Sequence, residues 1–174
     1  KLPALSSKAI AVFDVQPVRD SIYKSFGIDF DYYTPTTSIQ FLSDIQVVLA
    51  RCGNQFIFKR KRHSGRRVQP KYVQFIKKLT ERPDFVEIDP DTSPVQVIKN
   101  CGAVISIPFT STALIAKELG KPSVYYDPHG LIQKDDRGAH GIDILCGPKE
   151  LAAWVSSIGN VETLNETPPG AIIN

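Results

Sequence analysis

Three adjacent hydroxyls, Thr110, Ser111 and Thr112, stand where an apolar run gives way to a helical pattern. Before them the chain reads Val104-Ile105-Ser106-Ile107-Pro108-Phe109, and after them Ala113-Leu114-Ile115-Ala116-Lys117-Glu118-Leu119-Gly120. Strand, hydroxyl loop and helix in that order place unpaired helix amides at the carboxyl end of a strand, where an open α/β sheet binds phosphate. Hydroxyls, backbone N–H groups and the helix dipole would all act on phosphate oxygens. Any one of the three residues also suits an N-cap. Three in succession exceed what a cap requires, so the cluster favours binding.

A second group is cationic. Lys59, Arg60, Lys61, Arg62, Arg66 and Arg67 lie within nine residues, with His63 among them. The net charge is only +3, and without these six cations 15 basic residues face 18 acidic ones. The basicity is therefore one patch, which points to a bound anion. Arg offers a bidentate grip on phosphate and Lys a point charge. Alternation along an extending strand predicts Lys59 and Lys61 on one side, with Arg60 and Arg62 on the other. A solvated edge, a face toward anionic lipid headgroups and a nucleic-acid surface over 59–67 are the competing readings.

The third group is a polar stretch from Asp127 to Gly141, with Asp127, His129, Asp135, Asp136 and His140. Its spacing matches no recognised ligand set, and no metal is expected. With no periodic apolar positions to anchor it, the stretch is expected to be a mobile loop that orders over a bound ligand. Gln16, in the turn after the first strand, joins the loops that such a fold gathers at one edge. Glu118 is as compatible with a solvated helix end as with a ribose contact. The sequence lacks G-x-G-x-x-G, the Walker A pattern, G-x-S-x-G and a Cys/His nucleophile pair. Dehydrogenase, P-loop NTPase and α/β-hydrolase readings lose their usual marks.

The elements that must position these groups alternate. Apolar strands are expected at 8–14, 55–58, 85–88, 104–107, 123–126 and 142–145. Helical patterns run from 36–38 to Cys52-Gly53, from Pro70 through Leu79, from Ser93-Pro94 to about Asn100, to Leu119, and from Pro148 to about Ser157. Residues between Asp14 and Pro35 read as a loop. Strands without alternation are those buried on both faces, so the expected fold is a doubly wound, mostly parallel, Rossmann-like α/β sheet of about six strands with helices on both faces. A single domain over 1–160 and a Pro-containing tail over 161–174 follow.

The 174 residues can bury a sizeable core in one domain, and 42% hydrophobic with 22% charged residues is ordinary for a soluble globular chain. No apolar run approaches the roughly 20 residues a spanning helix needs. Cys52, Cys101 and Cys146 are odd in number and far apart, which reads as reduced, mostly buried thiols. The absence of any Met predicts a chain that starts inside a longer reading frame or is processed.

Ser106-Ile107-Pro108-Phe109-Thr110-Ser111-Thr112, followed by Glu118-Leu119-Gly120-Lys121-Pro122, resembles the donor-binding loop of GT-B type glycosyltransferases. More narrowly, Pro108-Phe109-Thr110-Ser111 looks like the signature of bacterial polysaccharide-biosynthesis proteins named for a P-F-T-S motif. The resemblance implies a carboxyl-terminal half that binds a nucleotide sugar, with phosphate held by Thr110, Ser111 and Thr112. Lys59-Arg60-Lys61-Arg62 occupies the place of the basic or His-Pro element found in enzymes using CMP-activated acidic sugars, which favours a CMP-sugar, but it lacks the His-Pro. Many retaining GT-B enzymes carry a Glu early in the helix after the hydroxyl loop; the comparable positions here are Ile115 or Ala116, and Glu118 lies later.

The expectation is thus the nucleotide-sugar-binding domain of a glycosyltransferase acting in capsule or lipopolysaccharide synthesis. It needs no further cofactor, and takes its catalytic base and an amino-terminal GT-B domain from outside this chain. Lys59, Arg60, Lys61 and the three hydroxyls would hold donor phosphate. Gln16, Arg62, Asp127, His129, His140 and Glu118 would line the nucleotide and sugar. The acceptor would be a lipid-linked or growing glycan, the location cytoplasmic or on the inner face of the plasma membrane, and no nucleic-acid partner is expected. A non-catalytic nucleotide- or sugar-phosphate-binding module of the same pathway, and a nucleic-acid-binding α/β domain, are the alternatives.

Overall fold

The computed structural model describes residues 2–27, 32–63 and 65–165, with side chains described through residue 158. Six strands, β1 (Ala9–Phe13), β2 (Gln55–Lys59), β3 (Phe85–Ile88), β4 (Ala103–Ser106), β5 (Ser123–Asp127) and β6 (Asp143–Cys146), form one sheet in the order β3-β2-β1-β4-β5-β6. Every neighbouring pair is parallel. The expected Rossmann-like α/β sheet is what the chain forms.

Between the strands run α1 (Asp20–Ser25), α2 (Pro35–Cys52), α3 (Pro70–Leu79), α4 (Pro94–Lys99), α5 (Ser111–Glu118) and α6 (Gly147–Asn165). Ile10 and Val12 of β1 join Phe41, Leu42, Ile45, Phe56, Phe58 and Tyr72 in a core on one face. Ala9, Ala11 and Phe13 join Ile57, Val97, Ile98 and Val104 on the other. Burial on both faces explains why these strands read as apolar runs rather than alternations.

Two elements depart from the sequence reading. The loop from Asp14 to Pro35 contains α1, six residues that bury none of their side chains and so carry no apolar period. The last helix passes its expected end near Ser157 and runs to Asn165; the rest of the expected tail, 166–174, lies outside the described residues. No helix among the described residues is long and apolar enough to cross a membrane.

Candidate phosphate-binding site

Strand order reverses between β1 and β4, whose residues pair from Ile10↔Ala103 to Phe13↔Ser106. The loops leaving these two strands therefore flank the crevice where doubly wound sheets take ligands. Beyond β4, the Ile107 N–H donates to Phe13 O (2.9 Å), and the chain then turns into α5.

The three hydroxyls are not equivalent. Buried Ser106 sets its Oγ 2.8 Å from Thr112 Oγ1. Thr112 Oγ1 lies 3.3 Å from Thr110 Oγ1, which donates to Ile107 O at 2.9 Å. Thr110 occupies the N-cap position in extended backbone, yet its side chain makes no cap hydrogen bond. Ser111, the first helical residue, is exposed. The helix thus begins with backbone donors that no capping side chain covers and with one outward hydroxyl.

Immediately before the cap, Phe109 adopts a left-handed backbone with φ 64°. Tyrosine hydroxyls hold the carbonyls on both sides of it. Tyr33 donates to Pro108 O at 2.9 Å, and Tyr125, from β5, donates to Thr110 O at 2.8 Å. Burial pushes the Tyr125 phenol's pKa upward, so it stays a protonated donor at neutral pH. The Phe109 ring lies 6.1 Å from that of Tyr125 and stays 39% exposed. A Cβ at Gly138 would come within 3.1 Å of Asp136 Oδ1 and 3.3 Å of the Phe109 ring, so the ring lies close over this glycine.

The basic segment divides at the end of β2. Lys59 is buried, and its Nζ donates to Arg60 O (2.9 Å) and Pro90 O (2.8 Å). Burial lowers its pKa, opposed by Asp91 and Asp89. Arg60, half-buried, pairs with Glu87. Lys61, Arg62, Arg66 and Arg67 are exposed. Lys59 and Lys61 do not share an environment as the alternation predicted, because β2 ends at Lys59 and regular extension stops there. Gln16 Nε2 donates to Arg62 O at 3.0 Å, tying the loop after β1 to the loop after β2.

His63 Nε2 lies 3.1 Å from Asp91 Oδ1, both residues being exposed. His63, Asp89 and Asp91 form the one group of His, Cys, Asp or Glu found among the described residues whose ligand atoms lie within 4.8 Å of one another. All three are exposed, with Asp91 N–H already bonded to Asp89 Oδ1 at 2.8 Å.

Sequence reasoning missed Asp14, the residue that follows β1. It is 4% exposed, its Oδ2 accepts from the Tyr72 hydroxyl, and its Oδ1 finds no partner among the described residues. Burial pushes its pKa up to about 7, with the Tyr72 hydrogen bond and the Arg60 charge acting in the opposite sense. An acidic residue closing an otherwise apolar strand was the available signal.

Asp127 is fully buried, and its carboxylate is occupied from within the protein. Oδ1 accepts from Tyr32 Oη (2.8 Å) and His129 N (3.0 Å), and Oδ2 from Ile132 N (2.8 Å). The stretch that follows is better anchored than its lack of periodicity suggested. Ala139 and Ile142 are buried with Ala113, Tyr125 and Ile144. Lys117 Nζ reaches His140 O (3.2 Å) and Gly141 O (3.1 Å), and Asp136 accepts from Gly138 N at 2.7 Å in a short 3-10 turn. The Lys117 bonds and the packing on Ala113 and Tyr125 come from other elements, so no local period could announce them.

His129 and His140 are exposed. Glu118 is the exposed last residue of α5, at the end of the helix opposite Ser111. The structure gathers Thr110–Thr112, Tyr33, Tyr125 and Gly138 around one turn, and Gln16 and Arg62 around another. It does not bring Glu118 to the hydroxyl loop.

Residues 1–155 match the model of the family described as polysaccharide biosynthesis PFTS motif protein. No curated protein matches the sequence. Among solved structures, the UDP-GlcNAc 2-epimerase of Methanocaldococcus jannaschii, in complex with UDP-GlcNAc and UDP, is similar over 87% of this chain and 39% of its own, with TM-score 0.52 and 14% identity. The E. coli heptosyltransferase WaaC with ADP is similar over 92% and 46%, with TM-score 0.48 and 18% identity. The β-Kdo 2,4-transferase KpsC of Thermosulfurimonas dismutans is similar over 87% and 45%, with TM-score 0.40 and 10% identity. The chain spans less than half the length of each. At these identities the likeness is one of fold.

Proposed function

The chain belongs to the polysaccharide biosynthesis PFTS motif family, and from that premise we propose that this domain binds the phosphate of a nucleotide sugar as the donor half of a glycosyltransferase. The observation that carries the reading is the start of α5. Its backbone donors lack a side-chain cap, Ser111 is exposed beside them, and the turn lies at the strand-order reversal. The motif that names the family is this same turn, Pro108 to Ser111. The epimerase, which shares the fold, holds UDP-GlcNAc and UDP in its own structure.

In this reading the helix end and Ser111 grip the donor phosphate and stabilise charge that develops on the leaving group. Exposed Lys61 and Arg62 add positive potential from the β2 side of the crevice. The general base and the acceptor site come from another part of the protein, and a growing surface glycan is the acceptor. Work on the cytoplasmic side of a membrane fits a soluble nucleotide-sugar pool.

A thermal-shift panel of CMP, UDP, GDP, ADP and their sugars tests the reading. A ligand at 100 times its dissociation constant adds about 2.7 kcal/mol to the stability of a state that alone binds it. No shift with any member of the panel would overturn the assignment. Turnover of the stabilising sugar by the full-length protein separates an enzyme from a binding module.

A further inference from the structure

We infer that Phe109 is a platform for the sugar ring that the bound phosphate carries, so that this side chain reads sugar while the helix end reads phosphate. The inference rests on the phosphate-binding reading of α5.

Left-handed backbone is costly for a bulky aromatic residue, and it persists only where the surroundings over-determine it. Here they do. Tyr33 and Tyr125 hold the carbonyls on either side of Phe109, and Thr110 Oγ1 holds the carbonyl of Ile107. Two hydrogen bonds from distant segments and one within the turn therefore fix its four residues.

The ordinary reasons for a phenylalanine account for it only in part. The ring packs against Tyr125, yet 39% of the residue stays exposed. A residue chosen for backbone alone would be glycine, which takes φ 64° without a steric penalty. What the arrangement does achieve is a partly exposed aromatic ring set against Tyr125 and over Gly138, two residues before the first turn of α5.

The ligand chemistry follows from that position. An aromatic face carries partial negative charge and prefers partners with positive edges, such as the C–H groups of one face of a pyranose. In a nucleotide sugar the pyranose is ester-linked directly to phosphate, while the base is set back by a ribose. The ribose is ester-linked to phosphate in the same way, so the pyranose is assigned to the ring for its broad C–H face, and the free nucleotide serves as the control that separates the two.

The test uses Phe109→Leu and Phe109→Tyr against three probes by calorimetry. These are inorganic pyrophosphate, the nucleotide that binds best in the panel above, and that nucleotide's sugar conjugate. The expected result is that Phe109→Leu binds pyrophosphate and free nucleotide as the unaltered protein does, but loses about threefold to tenfold in affinity for the sugar conjugate. Phe109→Tyr should restore most of that loss.

An equal loss for all three probes would mean that Phe109 only shapes the turn. An equal loss for nucleotide and conjugate, with pyrophosphate unchanged, would place the nucleoside on the ring. Unchanged affinity for all three would leave the ring no role. Each of these results overturns the platform while leaving the phosphate site standing. Failure of the unaltered protein to bind any probe overturns both.

Discussion

Ser106 Oγ and Thr112 Oγ1 lie 2.8 Å apart, joining the last residue of β4 to the second residue of α5. Ser106 is fully buried, so this contact is the hydroxyl's escape from desolvation. It also divides the hydroxyl cluster by role, with Thr112 facing the protein and Ser111 the solvent.

Substitution should expose that division. Thr112→Val strands the Ser106 hydroxyl and should cost about 1–3 kcal/mol of stability. Ser111→Ala removes an exposed group and should stay within about 0.5 kcal/mol of wild type while weakening nucleotide binding. Urea melts of the ligand-free proteins, paired with calorimetry, read both quantities. A large apo loss with Ser111→Ala and unchanged affinity would make Ser111 a structural residue.

Asp14 should impose a pH dependence of its own. Its folded pKa is raised from 3.8 to about 7, so between those values the folded state holds a proton that the unfolded state has released. Stability should therefore fall as pH rises from about 4 to about 7 and then level off, by an amount on the order of a few kcal/mol. In Asp14→Asn that segment of the profile should flatten. Parallel slopes in the two proteins between pH 4 and 7 would show that Asp14 ionises normally.

The cationic patch should separate in the same manner. Lys59→Gln removes two hydrogen bonds from a buried ammonium and should lower stability by about 2 kcal/mol, because its partners are Arg60 O and Pro90 O. Replacing exposed Lys61 and Arg62 together with Gln should spare stability and weaken nucleotide binding, with a deficit that shrinks as salt rises. A salt-independent deficit would mean contact chemistry rather than a screened potential.

Much of the fold was legible because strands such as Ala9–Phe13 are buried on both faces, so burial writes itself as an unbroken apolar run. The strand-to-helix turn at Thr110–Thr112 was legible because its residues are contiguous in the sequence. What binds that turn in place was not. Tyr33 reaches Pro108 across 75 positions, Tyr32 reaches Asp127 across 95, and neither leaves a trace in local periodicity. Lys59 looked like the first member of an exposed patch because nothing in the run Lys-Arg-Lys-Arg marks where β2 stops. Asp14, which no motif contains, becomes unusual only when the fold buries it.

Asp127, itself held by Tyr32, predicts the behaviour of the Asp127–Gly141 stretch through short-range bonds to its own loop. Without ligand, the amides of His129 and Ile132, which donate to Asp127, should exchange slowly, and those of exposed Gln133, Lys134 and Asp135 quickly. Asp127→Ala should release the first pair. Uniformly fast exchange from 129 to 136 in the unaltered protein would show that the Asp127 anchor does not hold in solution.

The most direct test of the central claim is an amide NMR titration with the nucleotide sugar that gives the largest thermal shift. Phosphate held by the start of α5 must perturb the backbone N–H groups of Ser111, Thr112 and Ala113 more than those elsewhere in the sheet, and Ser111→Ala must weaken the titration without unfolding the protein. Saturable shifts confined to residues 59–67 and 87–93, with 111–113 unmoved, would place the anion on the other side of the crevice and contradict the account.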